Sequence, residues 1–519
     1  MTQSVVEYFG WTRNGSCGYC KGKRPAGKVN LEGNESNSQQ NAAIPAGCES
    51  EEESFEDESG HSVSLGAWAH NLKDTDFMTL LEIGVWAHSL SCEEYQAFCD
   101  RGWRRSGKYL YKPKLDETCC PQYTIRLDTT KFYLSRSQKS ALKKMNAFLK
   151  EGKKPRCGVK EEVPVETKKD KDVAMASQTL NTAKSSSPIS GDAVEHKKRA
   201  DVDRPVRRKK EIRRERFEQK CRDRGIDIEE AKRKRQEKEN AKRRTIESFI
   251  LDWDESWKHK LEVRLVSTQS QEFAERETES FQLYSKYQMI IHNDEEKMMG
   301  SYKRFLVDSP LKATNSDRNW EESTALPVGA YHLWYLLDDK LIAVGVVDLL
   351  TKCLSAKYFF YDPDYNFLSL GTYSALREIH LTRQICAKFP QFKYYYMGYY
   401  IQSCPKMRYK GTYRPSELLC DRTWQWVPLS ECEKLFPASN YTNGFTAFRP
   451  DLPTPPEANY HHQAIYCHRT VCRFADCARV IPHFRPPSEN FIKKLKNLVH
   501  FLGKDLSEVA IFFQELNNL

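Results

Sequence analysis

Apolar positions in the second half of the chain fall in short blocks closed by turn residues. "YHLWYLL" (331–337) reads as a strand, "DDK" as a turn and "LIAVGVVDLL" (341–350) as a continuous apolar strand. "CLSAKYFFY" (353–361) pairs next, with "DPDY" as its turn. "FLSLG" then leads into "TYSALREIHLTRQICAKF", whose apolar residues recur at helical spacing for about 16–18 residues. "YYYMGYYI" (394–401) is a further strand. Meander, helix and strand together predict an α/β domain over about 246–485, followed by C-terminal helices over 486–519.

The first half patterns differently. "GAWAHNLKDTDFMTLLEIG" begins at Gly66 and "GVWAHSLSCEEYQAFCDRG" at Gly84, so Trp68 matches Trp86 and His70 matches His88. Two copies are too few for a solenoid and read as a duplicated helix, or as two alternative exons kept in one chain. Between Phe148 and Phe217 there is no aromatic residue, and this stretch has the composition of a disordered linker. It passes into "RPVRRKKEIRRERFEQKCRDRG", charged and built from good helix formers with little apolar stripe. A second biased piece, about 28–62 and ending in an acidic block, is also expected to be disordered.

Charge sharpens this division. Residues 151–246 hold 30 Lys/Arg against 19 Asp/Glu, a net of +11 in a chain of +10, so the remainder is close to neutral. The basic balance therefore belongs to one segment, suited to a solvated helix, a nuclear-localisation signal or contact with RNA. A chain of 519 residues with 39% hydrophobic content has room for several cores. No run of 18 apolar residues is present, so no membrane partner is expected. The start lacks a charged-then-apolar secretory pattern, and the 17 cysteines form no disulfide-like framework. Thiols or metal ligands in a cytoplasmic and nuclear protein are the expectation.

Four of those cysteines suggest one site. Cys17 and Cys20 are spaced so that a tight turn, eased by Gly18, presents two thiolates to one ion. Cys119 and Cys120 are adjacent and would point apart in a strand, so both reach one ion only from a turn, which Pro121 favours. Alternatively one of them is a spectator and His70 or His88 is the fourth ligand. Zinc and an iron–sulfur cluster both take such a donor set. Near the end, His461, His462, Cys467, His468, Cys472 and Cys477 cluster, but their spacing matches no zinc module. No Cys2His2 spacing is present for reading DNA.

The order "CGYC", "WAH", "RGWRRSGKYLYKP", "CCPQYTIR", continued by "YFFYDPDYNFLSLGTYSALREI" and "YYYMGYYIQSCPKMRYKGTYRPSELLC", resembles the arginyl-tRNA–protein transferase family. The resemblance implies a GNAT-like acyltransferase domain behind a small Cys-rich domain over 1–150, with the basic linker over 151–245 between them. It implies transfer of arginine from arginyl-tRNA to the N-terminal α-amine of proteins beginning with Asp, Glu or oxidised Cys, marking them for ubiquitin-dependent degradation. It also places the metal or cluster on Cys17, Cys20, Cys119 and Cys120. The family carries one "WAH" unit close behind "CGYC"; two here leave open which histidine lies near the cysteines.

For that chemistry the residues suggest roles. The donor ester is already activated, and an α-amine of pKa about 7.7–8.0 gains only about 1–1.5 kcal/mol from a general base at neutral pH. Positioning matters more. Asp348, on the strand face of Val344 and Val346, is a candidate to hold the incoming ammonium or the arginyl guanidinium, and Glu378 is comparable. Lys406, Arg408, Lys410 and Arg414, with His332, are candidates for the acidic acceptor or for tRNA phosphate. Arg104, Arg105 and Lys108, interleaved with aromatics, suit RNA. The Gly371 helix start is a place for the tRNA terminus. A monomer is expected. The rival is a non-enzymatic nuclear RNA-binding scaffold with a zinc site, which would not need the long α/β half.

Overall fold

The apolar blocks of the second half become strands where the sequence places them. The computed structural model describes residues 4–14, 17, 19–20, 80–154, 209–241, 244–313, 321–437, 445–481 and 484–517. Gly18, the acidic insert, His70 with its "WAH" copy, and 155–208 of the linker lie outside them.

In chain order the strands are β1 (Val5–Asn14), β2 (Leu80–Ser89), β3 (Arg104–Ser106), β4 (Tyr109–Pro113), β5 (Tyr123–Asp128), β6 (Leu261–Ser267), β7 (Gly329–Leu337), β8 (Lys340–Leu349), β9 (Cys353–Tyr361), β10 (Tyr394–Tyr400), β11 (Ser416–Leu419), β12 (Trp426–Pro428), β13 (Ala464–Cys467), β14 (Thr470–Arg473) and β15 (Ala510–Phe512). They form two sheets. One has the order β14-β13-β15-β1-β2-β4-β3 and the other β12-β11-β5-β10-β9-β8-β7-β6. Strands β6 to β9 are an antiparallel meander, and β10 joins β9 in parallel after the helix Leu370–Lys388 crosses over. Asp338 and Asp339 close the β7–β8 hairpin with φ of 49° and 68°, the conformation that a tight hairpin turn asks of two central residues.

Alternation along β8 divides the core. Ala343 and Val347 pack towards the helix Leu370–Lys388, whose Leu376, Ile379 and Ile385 are buried. Each contributes roughly 1.5–3 kcal/mol by that burial. Val344 and Val346 face Phe273 and Leu283 of the helix Gln271–Tyr287. A third core lies on the other sheet, against the helices Cys92–Asp100 and Glu489–Leu502.

Residues 1–155 and 245–519 make one unit, and 156–244 another. The segments read from sequence as 1–150, 246–485 and 486–519 thus share a unit: β5 lies between β11 and β10, and β15 pairs with β1. The final segment accordingly holds a strand besides its helices. In the second unit the charged stretch forms helices at Lys209–Asp223 and Ile228–Ala241. In the second "WAH" copy only the later part, Cys92–Asp100, is helical, and the "GVWAHS" that opens it belongs to β2. Ile83, Val85 and Ala87 are fully buried along β2 while His88 is exposed on its other side, a period of two rather than 3.6. Among the described residues no helix is long and apolar enough to cross a membrane.

Candidate functional site

The four sulfurs converge. Cys119 and Cys120 lie in the irregular stretch between β4 and β5, where the backbone is free of strand alternation. Their Sγ atoms and those of Cys17 and Cys20 all fall within 4.8 Å of one another, and Cys20 Sγ is 3.7 Å from Cys119 Sγ. Both adjacent cysteines are therefore in the set, and His88, 3.2 Å from Glu7, is not its fourth member. Ile401, Cys404 and Met407 pack against it, which puts the cysteines beside the short basic helix Pro405–Arg408. Burial opposes the Cys17 thiolate, but backbone N–H groups of Cys20 and Tyr19 and the neighbouring thiols outweigh it and lower its pKa. Burial and the nearby Cys17 push Cys119 up to about 12. A bound cation would relieve that mutual suppression, so the donor set fits a metal. Elsewhere Cys472 and Cys477 come to 3.4 Å, but they form no metal-sized group with the histidines among the described residues.

A cleft opens in the middle of the eight-stranded sheet. Strands β9 and β10 pair over only three residues, Cys353–Ser355 with Tyr394–Tyr396, and then diverge. Residues 356–359 of β9 are partly exposed although the strand is central. The register with β8 slips there: Val346 faces Tyr358 and Val347 faces Ala356, leaving Lys357 as the extra residue of a bulge.

On the side of the sheet covered by the helix Leu370–Lys388, Tyr395 Oη donates to the buried Glu378 Oε2 at 2.7 Å. Gly345 leaves room for this carboxyl, since a Cβ there would sit 3.0 Å from Oε1. Burial pushes Glu378 up to about 7. Tyr409 and Tyr413 are near enough to feel its charge. Lys406 and Arg408 are exposed and make no ion pair among the described residues. Lys410 points inward and donates to Tyr399 O at 2.8 Å, with burial lowering it to about 8. Arg414 pairs with Glu433 at 3.2 Å on the surface.

Other expected residues are committed elsewhere. Arg105 grips Asp348 through both nitrogens of one edge, Nε at 2.8 Å and Nη2 at 2.5 Å. Its Nη1 donates to Gly107 O at 2.8 Å and to Asp308 O at 3.3 Å. Both side chains are out of solvent, so neither Asp348 at a substrate ammonium nor Arg105 at tRNA is what this geometry provides; the pair bolts β3 to β8. Arg104 is also buried, donating to Trp103 O at 2.6 Å with Tyr396 and Tyr399 stacked on its guanidinium, which removes it from RNA as well. Lys108 alone of that trio is partly exposed. His332 is fully buried: its Nε2 donates to Leu306 O at 3.2 Å, and burial lowers it to about 4. The neutral ring then carries a lone pair on Nδ1, so it is no donor to a carboxylate. The Gly371 helix start has open space around it, its helix being preceded by Ser369 at φ 57° without a side-chain cap.

Lys357 is the residue that sequence reading missed. The available signal was a lysine inside the otherwise apolar "CLSAKYFFY", where a strand buried on both faces has no place for a charge.

Residues 15–140 match the family model described as arginine-tRNA-protein transferase, N terminus, and 279–420 match the corresponding C-terminus model. Arginyl-tRNA–protein transferase 1 of Drosophila melanogaster is 38% identical over 475 residues, covering 83% of each chain. Arginyl-tRNA–protein transferase 2 of Arabidopsis thaliana is 32% identical over 477 residues, covering 73% of this chain and 74% of its own. An aspartate/glutamate leucyltransferase of Campylobacter jejuni is 37% identical over 89 residues, 17% of this chain and 35% of its own. A solved lysylphosphatidylglycerol synthetase domain from Agrobacterium fabrum matches 27% of this chain and 37% of its own, at 14% identity and a TM-score of 0.16, too low to speak for the fold.

Proposed function

The chain belongs to the arginine-tRNA-protein transferase family and is an aminoacyltransferase, and from that premise we propose that it arginylates the N-terminal α-amine of proteins beginning with Asp or Glu. Oxidised cysteine is a further acceptor in this reading, and the product is a mark for ubiquitin-dependent degradation in cytoplasm and nucleus. The bacterial relative's name gives aspartate and glutamate as its acceptors, which supports an acidic first residue here.

The observation that carries the reading is the splay of β9 from β10, with the buried Glu378 carboxyl bonded to Tyr395 of β10 and the basic helix Pro405–Arg408 following that strand. A meander followed by a helix and a splayed parallel strand is the arrangement expected of a GNAT-like domain. In the cleft the α-amine attacks the ester carbonyl of arginyl-tRNA; the new amide forms as the ester C–O bond breaks, and the tRNA ribose oxygen leaves with a proton. Glu378, held near 7, suits a proton acceptor that takes the proton from the α-ammonium and so frees the amine that attacks. Lys406 and Arg408, exposed and free of ion pairs among the described residues, suit tRNA phosphates.

Cys17, Cys20, Cys119 and Cys120 would hold the metal. Thiolates about 2.3 Å from one tetrahedral ion stand roughly 3.8 Å apart, so sulfurs this close suit a single ion better than a polynuclear cluster. When bound, the metal supplies structural cross-linking, fixing the Cys17–Cys20 turn against the loop before β5 and beside Met407. The protein acts as a monomer in this reading.

The test is a panel of peptides starting with Asp, Glu, Asn or Val, incubated with purified protein and labelled arginyl-tRNA. Label should enter the Asp and Glu peptides; equal entry into the Val peptide would overturn the acceptor assignment.

A further inference from the structure

Lys357 reverses the usual behaviour of its residue type. Lysine ordinarily buries its methylene stem and leaves its ammonium in water. Here the residue is partly exposed, yet Nζ is buried and has no hydrogen-bond partner. The residue sits in the β9 bulge, just past the last residues that pair with β10, and its Nζ lies among groups on the β8 side of the strand.

The groups facing it come from four elements. They are Arg105 on β3, Asp348 on β8, Asp308 after the π-helical turn Lys303–Val307, and His332 on β7. None of them serves it as a partner. Both Asp348 oxygens already accept from Arg105, which spends four of its five N–H donors on Asp348, Gly107 and Asp308. A buried ammonium without an acceptor is costly, and methionine would fill the space without that cost. The lysine therefore implies an anion that comes from outside the chain.

We propose that Lys357 Nζ receives the side-chain carboxylate of the acceptor's first residue and so sets the preference for acidic N-termini. The inference rests on the acceptor reading above. A carboxylate suits the site because it is small, carries one charge and ends a side chain, so it can follow the bulge to a buried tip. A tRNA phosphate is flanked by two nucleosides and is met by exposed cations such as Lys406 and Arg408 rather than by one enclosed amine. Burial, and then the Arg105 charge, lower Lys357 to about 7. A bound carboxylate favours the protonated amine, so discrimination is strongest below that pH and fades above it.

The experiment compares kcat/KM for Asp-starting and Asn-starting versions of one peptide, from pH 6 to pH 8.5, in the full chain. Taking the ratio cancels the titration of Glu378, which both peptides share, and each peptide's own α-amine titration, measured separately, is divided out because an N-terminal Asp carboxylate raises its amine's pKa above that of Asn. Wild type should prefer Asp, with the preference falling as pH rises through about 7. Lys357→Met should reduce the preference roughly tenfold or more, as expected for one charge-assisted hydrogen bond, with KM for arginyl-tRNA unchanged. Lys357→Arg, whose charge does not titrate in this range, should keep a preference that no longer depends on pH. That arm decides the matter if the Met variant does not fold. A wild type indifferent between Asp and Asn would overturn the acceptor reading itself. A wild-type preference that survives in Lys357→Met, or a Met variant whose only defect is weaker arginyl-tRNA binding, would overturn the assignment of Lys357.

Discussion

Replacing Asp348 by Ala should unfold this protein before it alters the chemistry. In the native chain the Asp348 and Arg105 side chains are 0% and 1% exposed, and two parallel hydrogen bonds join them. The residues lie 243 positions apart and on different sheets, so the contact is tertiary and ties β3 to β8. Removing the carboxylate strands a guanidinium in the interior with only two carbonyl acceptors, Gly107 and Asp308. Breaking a buried pair from one side costs about 3–5 kcal/mol, against about 0–1 kcal/mol for a pair in solvent. The double variant Arg105→Met/Asp348→Leu removes both charges and should recover most of that loss, since a buried pair replaced by packed apolar groups is close to neutral. Urea denaturation followed by circular dichroism measures both variants, with arginyl transfer assayed alongside. A loss below about 1 kcal/mol in Asp348→Ala, together with collapsed turnover in a stably folded protein, would refute the structural role and return Asp348 to the chemistry.

Three further outcomes are expected. Cys17→Ser/Cys20→Ser should lose its tightly bound metal by elemental analysis, and full occupancy in that variant would contradict the four-sulfur site. Glu378 is raised by burial from its ordinary 4.5 to about 7, so the folded chain holds an extra proton between those values and stability falls as pH rises through that window, by roughly 3 kcal/mol. Glu378→Gln should flatten that dependence in pH-dependent urea melts and slow transfer about tenfold; an unchanged pH profile would show the carboxyl to be solvated. Lys406→Gln/Arg408→Gln should raise KM for arginyl-tRNA and reduce the salt dependence of binding by about one log unit per contact or slightly less, whereas an effect confined to the acidic peptide would move these cations to the acceptor.

What was legible in the sequence is what short-range pattern encodes. "CLSAKYFFY" coincides with β9, and the helical spacing after Gly371 lies within two residues of the helix Leu370–Lys388. Cys-x2-Cys and Cys-Cys-Pro pointed to one site because tight turns are local and thiolates share few other reasons to be so spaced. What was not legible depended on distant partners. Nothing around "GWRRSG" announces that Arg105 will meet Asp348, so a buried bolt read as an RNA-binding strand. Strand β15 has three residues and exists because β1 lies beside it, a pairing that no local propensity specifies. The "WAH" segment misled because its Trp and His drew attention from the alternation of Ile83, Val85 and Ala87. Lys357 escaped because the bulge that holds it is set by a register slip between two strands.

The central claim is that this chain forms a peptide bond between arginine and the first residue of an acidic acceptor. Mass spectrometry with N-terminal sequencing of an Asp-starting peptide, after incubation with purified protein and arginyl-tRNA, tests it most directly. The peptide should gain the mass of one arginine residue, with arginine read first and Asp second, and no such product should form when uncharged tRNA and free arginine replace the ester. Arginine found on a side chain, or no product from an Asp-starting peptide with arginyl-tRNA present, would contradict it.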